Sequence, residues 1–61
     1  MPTVTVKVLE GKTVEQKRGL VKDMTEAIVK NFEVPASAVT IHIFDMKREN
    51  VAKEGVLFSD Q

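Results

Sequence analysis

Few residues of this 61-residue chain can move a proton near neutral pH. His42 is its single imidazole, a group that ordinarily titrates at about 6.5. Pro2 is the other. A small second residue such as proline permits removal of the initiator methionine, and Pro2 then carries a free secondary amine. An α-amino group titrates at about 8 in simple peptides, and an apolar pocket lowers an amine further because burial disfavours its charged form. A neutral amine held in that range is a competent general base. With Met1 attached, the same nitrogen belongs to an amide and its lone pair is delocalised. The chain has no Cys, which excludes thiolate nucleophiles, disulfides and thiolate-bound metal, and a single His does not build a zinc site. Lys12 is a cation available to an anionic substrate; Lys47 and Arg48 read as a solvated turn, with charge supplied to an adjacent subunit's site as the alternative, whereas Asp45 and Glu49 show no partner carboxylate at useful spacing and read as solvated.

These groups need elements to hold them. Residues 3–9 alternate at period two, with Val4, Val6 and Val8 on one face and Thr3, Thr5, Lys7 and Leu9 on the other, so they predict a strand. Glu10-Gly11-Lys12 breaks the alternation as a turn. Thr13 and Gln16 have capping-box spacing, and from Val14 the apolar period becomes helical through Leu20, Val21, Met24, Ala27, Ile28 and Phe32. Gly19 weakens this helix and suggests a close packing contact there. Pro35 ends it, since the residue before a proline avoids helical backbone. Residues 38–45 alternate again, with Val39, Ile41 and Ile43 opposite Thr40, His42 and Phe44. Gly55-Val56-Leu57-Phe58 follows a polar segment and predicts a short closing strand or hairpin arm.

The predicted order of strand, helix and strand gives an α+β protomer whose two strands run parallel, because the intervening helix is long enough for a crossover. Residues 1–61 form a single domain, without repeat, linker or low-complexity segment. Lys and Arg number 9, as do Asp and Glu, so the formal net charge is zero; a nucleic-acid or anionic-membrane partner would need a basic surplus. The lack of a long apolar run or a leader-like start gives a cytoplasmic expectation. A domain of this length buries little of its surface, and neither disulfide nor metal is at hand to staple it. One helix covers one face of a two-stranded sheet and leaves a bare face and two edges. A homo-oligomer built by sheet extension and face packing is the expected remedy.

Met1-Pro2, the Val-rich strand, Leu9-Glu10-Gly11-Lys12, Glu15-Gln16-Lys17, a helix stopping before Pro35, Ala38-Val39-Thr40-Ile41 and a polar hairpin with Gly55 together resemble the 4-oxalocrotonate tautomerase family. The resemblance spans essentially the whole chain; its specificity lies in order and spacing rather than in any one motif. It implies a β-α-β protomer with a C-terminal hairpin, assembled as a hexamer, a trimer of dimers. It implies that Pro2, as the mature N-terminus, is the base that carries a proton between atoms of an unsaturated 2-oxo or 2-hydroxy acid, without cofactor or metal. By the same resemblance, the Leu9 backbone helps hold the substrate oxygen. Lys12 stands where the family has a substrate-binding arginine, Thr40 where it has a second, and Val51 where an aromatic wall is expected. Lys12 keeps the charge but loses the planar fork, and Thr40 and Val51 keep neither charge nor ring.

The expected function is therefore that of an isomerase acting on a small enolisable carbonyl acid, with Pro2 catalytic and Lys12, Leu9, Thr40 and Val51 around the substrate. The alternatives are a dehalogenase, hydratase or decarboxylase using the same proline, or a silent oligomeric scaffold. His42 shares a strand face with Thr40 and reads as a residue at a subunit interface.

Overall fold

A computed structural model describes all residues from Met1 to Gln61. Strand β1 (Thr3–Leu9) leads through the turn at 10–13 into helix α1 (Val14–Phe32), and β2 (Thr40–Met46) returns alongside β1. A short hairpin of β3 (Ala52–Lys53) and β4 (Val56–Leu57) closes the chain. β1 and β2 pair in parallel, with Thr3 opposite Thr40 and Leu9 opposite Met46, so the ladder runs the full length of both strands.

Local chemistry accounts for each boundary. The Thr13 N–H donates to Gln16 Oε1 at 2.9 Å and the Gln16 N–H donates to Thr13 Oγ1 at 3.1 Å, a complete capping box. At the other end Glu33 adopts a left-handed conformation, φ 55°, and its N–H donates to the Val29 carbonyl at 3.0 Å. The second strand begins at Thr40 rather than at residue 38, because Ala36–Ala38 form a single 3-10 turn after Pro35. At the hairpin tip Glu54 and Gly55 both take positive φ, 51° and 80°. Two consecutive positive φ values are what a two-residue turn needs to match the twist of its strands.

Alternation puts Val4, Val6, Val8, Ile41 and Ile43 toward α1, where all five are half-buried, while Thr3, Thr5, Lys7, Thr40, His42 and Phe44 are exposed on the outer face. Along the helix, Lys17, Val21, Met24, Thr25, Ile28 and Val29 are half-buried. Phe32, expected in that stripe, is 66% exposed, and Leu20 is 41% exposed at its edge. The expected close contact at Gly19 is also missing, since a Cβ built there meets nothing within 4 Å. No residue of the protomer is fully buried. Its radius of gyration is 14.8 Å, against about 10.5 Å for a compact domain of this length. This extended form leaves 4888 Å² accessible, compared with about 4,000 Å² for a compact chain of equal mass. No helix is long and apolar enough to cross a membrane.

Candidate active site

Pro2 directly precedes β1, a position where its missing N–H costs the ladder nothing. Its carbonyl accepts the Thr40 N–H at 3.0 Å, which pins Pro2 beside the start of β2. Pro2 is half-buried, whereas Met1 before it is 92% exposed. Pro2 and Thr40 thus share one end of the sheet.

Leu9 and Lys12 lie at the other end. The Glu10 N–H donates to the Met46 carbonyl at 2.9 Å and extends the ladder by one bond. Gly11, at φ 117°, then turns the chain toward the helix cap, a conformation that a side chain resists. Seven strand steps of about 3.3 Å separate Pro2 from Leu9 by about 23 Å within one protomer. Val51 sits apart from both groups at the base of the hairpin, where its carbonyl accepts the Phe58 N–H at 2.8 Å.

Lys12 opens onto a cleft of about 240 Å³ between the first turns of α1 and the inward face of the sheet. Val6, Val8, Leu20 and Ile43 make its apolar floor, and Gln16 and Lys17 join Lys12 among its lining residues. The Lys17 ammonium donates to Asp45 Oδ2 at 2.8 Å, so Asp45 is paired and not simply solvated as its spacing suggested. Sequence held a signal for this pair. Asp45 continues the inward row of Ile41 and Ile43, and a carboxylate on an inward row calls for a cation. Lys12 itself makes no ion pair.

His42 projects from the outer face of β2, its ring stacked 6.4 Å from that of Phe44. Lys47 and Arg48 are exposed at the turn after β2. No three His, Asp or Glu side chains converge into a metal-binding group.

The family pattern described as "Tautomerase enzyme" matches residues 2–61, from Pro2 to the last residue. The chain belongs to the tautomerase family. A 2-hydroxymuconate tautomerase of Bacillus subtilis (strain 168) is 42% identical over 60 residues, covering 98% of this chain and 97% of the relative. YwhB, a solved homologue of 4-oxalocrotonate tautomerase, superposes with a TM-score of 0.92 at 40% identity over 98% of both chains. A solved heterohexamer 4-oxalocrotonate tautomerase from Chloroflexus aurantiacus J-10-fl gives a TM-score of 0.88 at 25% identity, covering 98% of this chain and 97% of its own. As a tautomerase the chain is an isomerase: it relocates a proton within its substrate and leaves the substrate's composition unchanged.

Proposed function

We propose that the protein interconverts the enol and keto forms of a small unsaturated 2-hydroxy acid, with the Pro2 amine as the proton carrier. The amine accepts the proton of the 2-hydroxyl group. The C2–O bond becomes a carbonyl, the double-bond electrons shift along the carbon chain, and the same amine returns the proton to C3 or C5. One O–H bond is exchanged for one C–H bond, and nothing is oxidised or reduced. The observation that carries this reading is the family match beginning at Pro2 itself, next to a Met1 that is 92% exposed and open to removal.

The strand geometry supports a site shared between copies. With about 23 Å between Pro2 and Leu9 in one protomer, a second copy must bring its own Leu9 and Lys12 to the first one's Pro2. The absence of any fully buried residue supports the same conclusion, since a protomer without a core needs its neighbours to fold. We assign the assembly as a hexamer, a trimer of dimers, in keeping with the hexameric relative. In it Lys12 binds the substrate carboxylate, the Leu9 backbone and the Thr40 hydroxyl hydrogen-bond the developing oxygen, and Val51 supplies an apolar wall.

The test compares two preparations on the same dienol, one with Pro2 as the sequenced N-terminus and one with Met1 retained. Ketonisation is expected only from the first, because acylation removes the nitrogen lone pair. Equal rates would assign the fold to a silent scaffold.

A further inference from the structure

Apart from Thr40 at one end, the outer face of the β1–β2 sheet is used neither by the proposed mechanism nor by the protomer's own packing. We infer that this face seals against the same face of other copies only while His42 is neutral, so that acid releases the trimer of dimers as dimers. The inference rests on the hexamer assignment and adds a proton-dependent contact to it.

Sheet register sets the surface. β1 contributes Thr3, Thr5 and Lys7, and β2 contributes Thr40, His42 and Phe44, all exposed. Thr5 lies opposite His42, and Lys7 lies opposite Phe44. The His42 and Phe44 rings stack with centroids 6.4 Å apart and planes 21° from parallel, and Phe44 is 50% exposed. Together the two rings form a plate that is apolar as long as the imidazole is uncharged. Edge pairing of strands extends the sheet and by itself produces dimers. A trimer of dimers needs a second surface, and this is the sheet face that α1 leaves open.

Charge makes that contact conditional. Lys7 is the only other titratable group on the face, and the outer row carries no carboxylate. Asp45 belongs to the inward row, where its Oδ2 accepts from the Lys17 ammonium at 2.8 Å. Neighbouring copies bring the same residues, so an imidazolium between them meets ammonium and imidazolium groups and no counter-ion. Lys7 carries its ammonium on a long stem that reaches the rim and water. His42 is short and stands in the third of the seven residue pairs, away from either end of the sheet. Its charged form would lose water without gaining a partner. Separated faces therefore bind a proton that packed faces exclude. Packing is complete above the range in which imidazole ordinarily titrates, about 6.5, and weakens as pH falls below it. Each proton taken up on separation raises the dissociation constant about tenfold per pH unit.

The experiment is sedimentation velocity of Met1-processed protein at micromolar concentration, at about pH 7.5 and about pH 5.5, either side of the imidazole range. The parent should run as a hexamer at the higher pH and as a dimer at the lower, reversibly. The site shared along the extended sheet stays with the dimer, so the change is read in mass. His42→Phe keeps a ring on the plate but takes no proton, and should stay hexameric at both pH values. His42→Lys carries a lasting charge and should be dimeric at both. The Pro2 amine also titrates in this window, but both variants retain it. A His42→Phe variant that dissociates with acid as the parent does would overturn the proposal, and so would a parent hexamer that persists at the lower pH. A hexameric His42→Lys would overturn it as well. Any mass other than a hexamer at the higher pH refutes the trimer of dimers. The sealed face then stands only if that mass still falls with acid in the parent and not in His42→Phe.

Discussion

At the scale of single residues, the proposed chemistry divides between Pro2, as base, at one end of β1 and Lys12, as cation, at the other. Lys12 carries the only unpaired charge at the cleft. A hydrogen bond to a charged group contributes roughly 1.5–3 kcal/mol, so Lys12→Ala is expected to raise KM for an anionic enol by about tenfold or more. Sedimentation of that variant should match the parent, since Lys12 makes no structural ion pair. If KM does not move, Lys12 is only surface charge. His42 sits on the outer sheet face stacked on Phe44, at neither end of the strand. His42→Asn should therefore keep the pH–rate profile, whose rise with pH follows loss of one proton from Pro2. Disappearance of that rise in His42→Asn would transfer the base to the imidazole.

At the scale of elements, the turns matter more than the strands they join. The Thr13–Gln16 capping box starts α1 immediately after Lys12 and so holds that side chain at the cleft. Replacing Thr13 by Ala should cost about 1 kcal/mol in thermal unfolding. At the hairpin tip, Gly55 at φ 80° follows Glu54 at φ 51°. A β-branched residue is strained in that region, by roughly 1–2 kcal/mol, so Gly55→Val should destabilise at least as much as loss of the cap. A neutral outcome in calorimetry would mean that the hairpin takes another turn. The pairing of Lys17 with Asp45 ties α1 to the end of β2 and keeps the cleft's charge at one.

At the scale of the whole molecule, the protomer is unfinished. Its 4888 Å² of accessible surface exceeds the compact expectation by about 900 Å², close to the roughly 800 Å² that each partner contributes to a standard interface. Phe44, Val56 and Leu57 are 50%, 46% and 39% exposed, on the outer sheet face and the hairpin, where the protomer has nothing of its own to cover them. In the proposed assembly, folding and association are one equilibrium. The unfolding midpoint should rise with protein concentration, and micromolar solutions should sediment without a folded monomer. A concentration-independent midpoint together with monomer mass would refute the shared site.

The strands, the helix and the cap were legible from residue types alone, because they are set by contacts within a few positions. Val4, Val6 and Val8 alternate, Thr13 and Gln16 meet across one turn, and Pro35 stops a helix wherever it falls. The family was legible too, from a resemblance along the whole chain. Contacts distant in sequence were not. Phe32 has helical spacing but is 66% exposed, since periodicity names a stripe and not what it meets. Gly19 suggested a close neighbour, and the protomer provides none. Only the folded chain brought Lys17 to Asp45 and formed the cleft under Lys12. Those facts depend on register and on the angle of helix to sheet, which arise from packing summed over the whole chain and from no local run of residues.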